Sequence, residues 1–291
     1  MSNAHCAPTL RSCALGAAVL LSALTAIAFP HTAQAQDGQR VIIMTPPESP
    51  GGMPKVVGGE AQDPKRWPAT LKYYLDGRLS CTATIVGPRA VITAAHCIDD
   101  QARMEVRLPG EAQPFLLTCE VHPWYQYVGL IADAALCLSN RAFPTSFAYE
   151  NLDTQITRVR RGTKLFLLGY GCRKFEDIGN PQKIGQLYGG VSEVILLPSR
   201  SEDHYRTFGG VVICPGDSGG SAYILSSPTA PEGLRSIVGI NSGFAQASRQ
   251  SAITPLTGSV AQFITDWSKD RKTQICGVHE SAANCRDRFS P

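Results

Sequence analysis

The sequence predicts an all-β protein, built as a barrel or a sandwich, on three observations. Short runs rich in β-branched and aromatic residues recur along it: LKYYL, CTATIVG, RAVITAA, KLFLLGYG, VSEVILL and SIVGI. Gly, Pro, Asn and Asp punctuate the gaps between them, as they do where strands are joined by tight turns. One stretch stands out with a helical period instead, VAQFITDWSKD at residues 260 to 270, where Val260, Phe263, Ile264 and Trp267 share a face.

In chain order, residues 1–35 read as a signal peptide: Arg11, an apolar run from about Ala14 to Phe29, then the small-x-small site Ala33-Gln34-Ala35. A membrane span needs roughly 18 to 20 apolar residues, and this run is shorter, so no membrane anchor is expected after processing. The expected location is secreted or periplasmic. Residues 36–55, QDGQRVIIMTPPESPGGMPK, end in a Pro- and Gly-rich stretch. A segment of that composition is expected to bury little and to be an extended or mobile propeptide or linker. At Lys55 the composition changes abruptly to VVGGEAQDPKRWPATLKYYL. A basic residue closing such a segment is an easy proteolytic target, and a cut there makes Val56 a new amino terminus.

The main domain is expected over residues 56–270, as two similar β units of about 56–155 and 156–270. The polar, basic stretch TQITRVRRG at 154 to 162 marks the boundary between them. Residues 271–291, RKTQICGVHESAANCRDRFSP, form a tail with two cysteines that is either a small stapled cap or a docking element. A net charge of +3 without a basic stripe gives no indication of a nucleic-acid partner.

Of ten cysteines, Cys6 and Cys13 leave with the leader, and the remaining eight in an exported chain suggest four disulfides. Zinc sites want CxxC-type spacing with histidines close by; that pattern is missing, so neither a metal nor a cofactor is expected.

Three short stretches carry candidate chemistry. CPGDSGGSA, residues 214 to 222, sets Ser218 among glycines; by itself this is a nucleophile or a small polar residue in a tight turn. VITAAHC places His96 at a strand end, and IADAALCLS places Asp133 inside an apolar run, where a carboxylate is costly to desolvate unless held. A structural histidine and a turn aspartate would read the same way one at a time. Together the three supply a nucleophile, an imidazole base and a carboxylate to orient that base, the set that acyl transfer by serine requires.

VVGG at 56 to 59, CTATIV at 81 to 86, TAAHC at 93 to 97, DAAL at 133 to 136, GYG at 169 to 171 and CPGDSGG at 214 to 220 follow one another in the order of the trypsin/chymotrypsin-like serine endopeptidases. The chain resembles that family from Val56 to about Trp267. The resemblance implies two antiparallel six-stranded β-barrels with a C-terminal helix, and a polypeptide substrate. It implies catalysis by His96, Asp133 and Ser218, with the Gly216 and Ser218 amides as the oxyanion hole. Glycines suit that role because the donors must point at a developing charge in a conformation a β-carbon hinders. It also implies a zymogen: an activating protease of basic specificity cuts after Lys55, and the Val56 ammonium pairs with Asp217.

The same resemblance matches Cys81–Cys97 to a family bridge. The usual partner of Cys214 follows a segment represented here by GINSGFAQAS, which has no cysteine. Cys214 is therefore paired with Cys172 beside GYG, leaving Cys119–Cys137 and Cys276–Cys285, on proximity alone among 105 formal connectivities. Val212, six residues before Ser218, stands where the family has the floor of its primary specificity pocket. An apolar floor cannot neutralise a buried cation, so a preference for Arg or Lys is not expected. Ser242 falls on the pocket wall and Phe244 at the mouth, which points to small or medium apolar side chains. Two rival readings are a catalytically silent homologue that binds a partner, and an esterase; the second usually carries a GxSxG elbow ahead of its histidine, whereas here His precedes Ser.

Overall fold

Short β-branched and aromatic runs, most of them buried along nearly their whole length, build two barrels. The computed structural model describes residues 40–46, 57–128, 131–155, 157–199, 203–227, 233–279 and 282–287. The expected signal peptide, Lys55 and Val56 lie outside the described residues.

In chain order the elements are β1 (Val41–Thr45), β2 (Glu60–Ala61), β3 (Thr70–Leu75), β4 (Arg78–Gly87), β5 (Ala90–Thr93), β6 (Arg103–Val106) and β7 (Phe115–Val121). Then come α1 (Pro123–Val128), β8 (Ala135–Ser139), β9 (Lys164–Gly169), β10 (Tyr188–Leu196), β11 (Tyr205–Phe208), β12 (Ser221–Leu225), β13 (Arg235–Ala245), β14 (Gln250–Pro255) and α2 (Ser259–Asp270).

The first barrel closes in the order β1-β3-β4-β5-β8-β7-β6, with β1 parallel to β6. The second runs β11-β14-β13-β12-β9-β10 and closes through the antiparallel pairing of β10 with β11, while β2 pairs with the first residues of β10. Two barrels and a C-terminal helix are thus present, and the first has a seventh strand where six were expected. That strand corrects the reading of residues 36–55 as a linker that buries little: Ile42 and Met44 are fully buried. Composition averaged over the segment hid VIIMT, five residues alternating as a strand should, behind the Pro-rich stretch that follows it.

The barrels share a core. Trp67 stacks on Phe166 of β9 at 5.6 Å between ring centroids and meets Tyr223 of β12 at 5.1 Å. α2 buries Val260, Ile264 and Trp267, and the Trp267 indole donates to Glu120 Oε1 on β7 at 3.0 Å. Among the described residues four disulfides join Cys81 to Cys97, Cys119 to Cys137, Cys172 to Cys214 and Cys276 to Cys285.

Candidate active site

His96 sits in a one-turn 3-10 helix, Ala95–Cys97, directly after β5. Two restraints fix that turn: the Cys81–Cys97 disulfide ties it to β4, and the Tyr73 hydroxyl on β3 donates to the Cys97 carbonyl. Asp133, at the start of the run into β8, is fully buried. Its Oδ1 accepts from the His96 amide at 2.9 Å, and its Oδ2 pairs with His96 Nδ1 at 2.7 Å. The Ser242 hydroxyl on β13 donates to the same Oδ2 at 2.6 Å. Burial pushes the Asp133 carboxyl upward, but the His96 ring, the Ser242 hydroxyl and the His96 amide outweigh it and hold the carboxyl below the usual carboxylate value. A carboxylate that stays ionised there keeps the imidazole proton on Nδ1 and leaves Nε2 as the basic atom.

Ser218 comes from the second barrel, in the turn that leads into β12, and the first barrel holds that turn. The Thr82 amide on β4 donates to the Ser218 carbonyl at 2.7 Å, and the Thr82 hydroxyl donates to the Gly216 carbonyl at 2.7 Å. Gly216 has φ +100°, a conformation open to glycine and strained for a residue with a Cβ. Among the described residues, no acceptor meets the Gly216 or Ser218 amide, so both remain available to a bound oxygen.

Between them Asp217 points inward and is 1 % exposed. Its carboxylate accepts from the Gly171 amide at 2.7 Å and the Cys214 amide at 2.9 Å. A Cβ on Gly171 would overlap that carboxylate, which is why GYG ends in glycine. Burial, only partly offset by those two amides, pushes the Asp217 carboxyl up to about 7.

His96 and Ser218 open on one cavity of about 480 Å³, together with Ile213, Pro215, Ser242 and Phe244. Val212 does not line it, which corrects its assignment as the floor. Val212 is 1 % exposed and its amide donates to the Val57 carbonyl, so the chain turns Ile213 toward the cavity instead. Ile213 gives that cavity an apolar side chain. The Phe244 ring stacks on Phe175 at 5.9 Å and 14°.

Ile213, Phe175 and Thr82 escaped sequence reasoning. Thr82 lay within CTATIV, but nothing local says that its partners are Gly216 and Ser218. The sequence places Ser242 on the pocket wall but carries no local sign of its bond to Asp133. Cys81, His96 and Cys97 bring ligand-type atoms within 4.8 Å of one another, but both sulfurs are spent in a disulfide and cannot act as thiolate ligands.

The trypsin family model matches residues 56–264. Transmembrane protease serine 11E of Mus musculus is 28% identical over 130 residues, 41% of this chain and 31% of that protein. Transmembrane protease serine 5 of Homo sapiens is 27% identical over 117 residues, 38% of this chain and 22% of its own length. The chain therefore spans less than a third of these two relatives. Brachyurin of Leptuca pugilator is 23% identical over 180 residues, 57% of this chain and 80% of brachyurin. Among solved structures, human heparin binding protein superposes with a TM-score of 0.55 at 18% identity, over 74% of this chain and 97% of that one.

Proposed function

The chain belongs to the trypsin family, and from that premise we propose that it is a secreted or periplasmic serine endopeptidase, made as a zymogen and acting beside apolar side chains. The observation that carries the reading is the 2.7 Å bond from His96 to a buried Asp133, with His96 opening on the same cavity as Ser218.

In this mechanism Ser218 Oγ attacks the scissile carbonyl as its proton passes to His96 Nε2. Asp133, bonded to Nδ1, keeps the ring in the tautomer that can accept that proton and stabilises the imidazolium. The negative charge on the tetrahedral oxygen is met by the Gly216 and Ser218 amides. His96 then gives its proton to the leaving amine, and an acyl-serine remains. A water molecule, deprotonated by His96, repeats the addition and frees the carboxylic acid product.

Ile213 and Phe244 give the cavity an apolar wall, and no described carboxylate lines it. That supports small or medium apolar side chains before the scissile bond and disfavours Arg or Lys. Such an enzyme does not cut after its own Lys55, so a separate protease of basic specificity activates it. Supporting that step is Asp217, a buried carboxylate whose described hydrogen-bond partners are two amides. The α-ammonium of Val56, once freed, supplies the missing cation and orders the turn that carries Gly216 and Ser218. Among the described residues no helix is long and apolar enough to cross a membrane.

The test is Ser218→Ala. Peptide hydrolysis should fall by about three orders of magnitude or more, with thermal unfolding and all four disulfides unchanged. Near-normal hydrolysis in that variant would remove Ser218 as nucleophile.

A further inference from the structure

β1 lies upstream of the proposed cut and outside the family match, which begins at residue 56. It is nevertheless a full member of the first barrel. On one side it pairs antiparallel with β3, from Ile42 opposite Leu75 to Thr45 opposite Lys72. On the other it pairs parallel with β6, from Val41 opposite Arg103 to Met44 opposite Val106. β3 and β6 meet only through it, since they are its two neighbours in the closed order. Take the strand away and the barrel opens by one strand's width. Backbone groups on two edges lose their partners, and Ile42 and Met44 leave a gap in the core.

The strand is also fastened at its start. The Val41 amide donates to Asp76 Oδ1 at 3.0 Å and the Asp76 amide returns a bond to the Val41 carbonyl at 2.9 Å. The Arg40 guanidinium bonds Asp76 at 3.1 Å and also reaches Asp99. Asp99 is two residues beyond Cys97, on the loop that carries His96. Met44 stands opposite Tyr73, whose hydroxyl holds the Cys97 carbonyl. The C-terminal side of the turn that presents His96 therefore leans on β3 and on Arg40, the residue that leads into β1.

We propose that the slot between β3 and β6 is a strand-binding site for the chain's own residues 40–46, so that the peptide upstream of Val56 stays bound after the cut as a second, noncovalent chain of the active protease. The slot selects an extended peptide with a cation ahead of the strand and apolar side chains at alternate positions, the pattern of RVIIMT. This rests on the proposed cut after Lys55, and it inverts the ordinary role of a propeptide: the fragment completes the barrel behind His96, and its removal disables the enzyme.

The experiment uses the whole chain without its leader, cut after Lys55 in one preparation and, in another, at a foreign protease site inserted between Gly51 and Gly52. Native mass spectrometry of both is compared with mass spectrometry in denaturant. The expected result is both fragments in one native particle, separated only by denaturant. An isotope-labelled peptide of residues 36–55, added in excess, should replace less than about a tenth of the bound peptide in an hour, given two paired strand edges and a buried core contact. Arg40→Ala, which removes exposed charged bonds without touching the core, should speed that exchange by about two- to fivefold. Stripping the peptide should lower hydrolysis by about tenfold or more, and adding peptide back should restore it, whereas peptide carrying Ile42→Glu and Met44→Glu should not. Free elution of the peptide with full activity in the 56–291 chain would overturn the proposal. Retention is read as mass, so the two readings separate. A retained peptide with no gain of activity on exposing Val56 rejects the zymogen reading and upholds the strand site; a gain of activity with the peptide lost does the opposite.

Discussion

Ser242 shows how much one hydroxyl can carry in a site assembled from two barrels. Its 2.6 Å bond to Asp133 Oδ2 falls on the oxygen that also holds His96 Nδ1, while the His96 amide takes Oδ1, so three donors meet the one carboxylate. It is one of the bonds that hold the Asp133 carboxyl low, so its loss makes Asp133 easier to protonate. Ser242→Ala should lower kcat/KM by about ten- to a hundredfold, the 1.5–3 kcal/mol of a hydrogen bond to a charged group. The loss should appear in kcat with KM little changed, since the hydroxyl acts on the carboxylate and not on a substrate atom, and the acid limb of the pH–rate profile should move to higher pH. Steady-state kinetics across pH decides this; a rise in KM with kcat intact would mean that Ser242 serves substrate binding instead. Here lies the limit of what was legible at this scale. GINSGF marked Ser242 as a wall residue, but a bond across 109 positions leaves no local trace.

At the scale of elements, strands and helix could be read wherever their period was carried by a few consecutive residues. α2 was visible because Val260, Ile264 and Trp267 recur on one face. β1 was obscured by averaging over its Pro-rich neighbours, and the docking of the tail could not be read at all. Its partners come from three remote segments. Arg235 on β13 is fully buried, its guanidinium 3.5 Å from the Trp67 ring, donating to Glu150 Oε2 at 3.0 Å and to the Arg66 carbonyl at 2.9 Å. Arg286 of the tail lies 3.4 Å from the other oxygen of Glu150, and the Tyr149 amide donates to the Asn284 carbonyl at 2.9 Å. Residues 282–287 are thereby held against the stretch that follows β8. Arg235→Met removes the better placed of two cations from a buried carboxylate and should cost about 3 to 5 kcal/mol. Adding Glu150→Leu should recover most of that, because the buried charge is then gone as well. Urea unfolding of the two variants measures both steps, and an equal loss in single and double variants would mean that packing around Trp67, not charge, is what Arg235 supplies.

For the whole molecule, the two barrels divide the labour, and the division makes the proposed activation a question about charge. The first barrel supplies His96 and Asp133 and, through Thr82, holds the turn of the second barrel that carries Ser218. At the centre of that turn Asp217 is buried beside two amides, with a carboxyl pushed up to about 7 from an ordinary value of 3.8. A folded-state pKa above the unfolded one means that the folded chain binds more protons between the two values. The contribution of this one group to the stability of the uncleaved chain should therefore be full below about pH 4, fall by up to about 4 kcal/mol as pH rises toward 7, and level off above it. A Val56 ammonium beside Asp217 changes the sign of the argument. With a cation at hand the carboxylate stays ionised in the fold at lower pH, the extra bound proton disappears, and the downward slope between pH 4 and 7 goes with it. Thermal melts of an uncleavable Lys55→Gln protein and of protein with Val56 confirmed as a first residue, each from pH 4 to pH 8, make the comparison. Apart from the termini that the cut creates, the titrating groups are common to both, so below about pH 7.7, where the new α-amino group stays protonated, the gap between the two melting temperatures reports Asp217. It should widen in favour of the cleaved protein as pH rises toward 7 and then stay constant through the point where the carboxyl of the uncleaved chain is fully ionised. A gap that does not change with pH would show that Val56 never reaches Asp217, and activation would then need another cause.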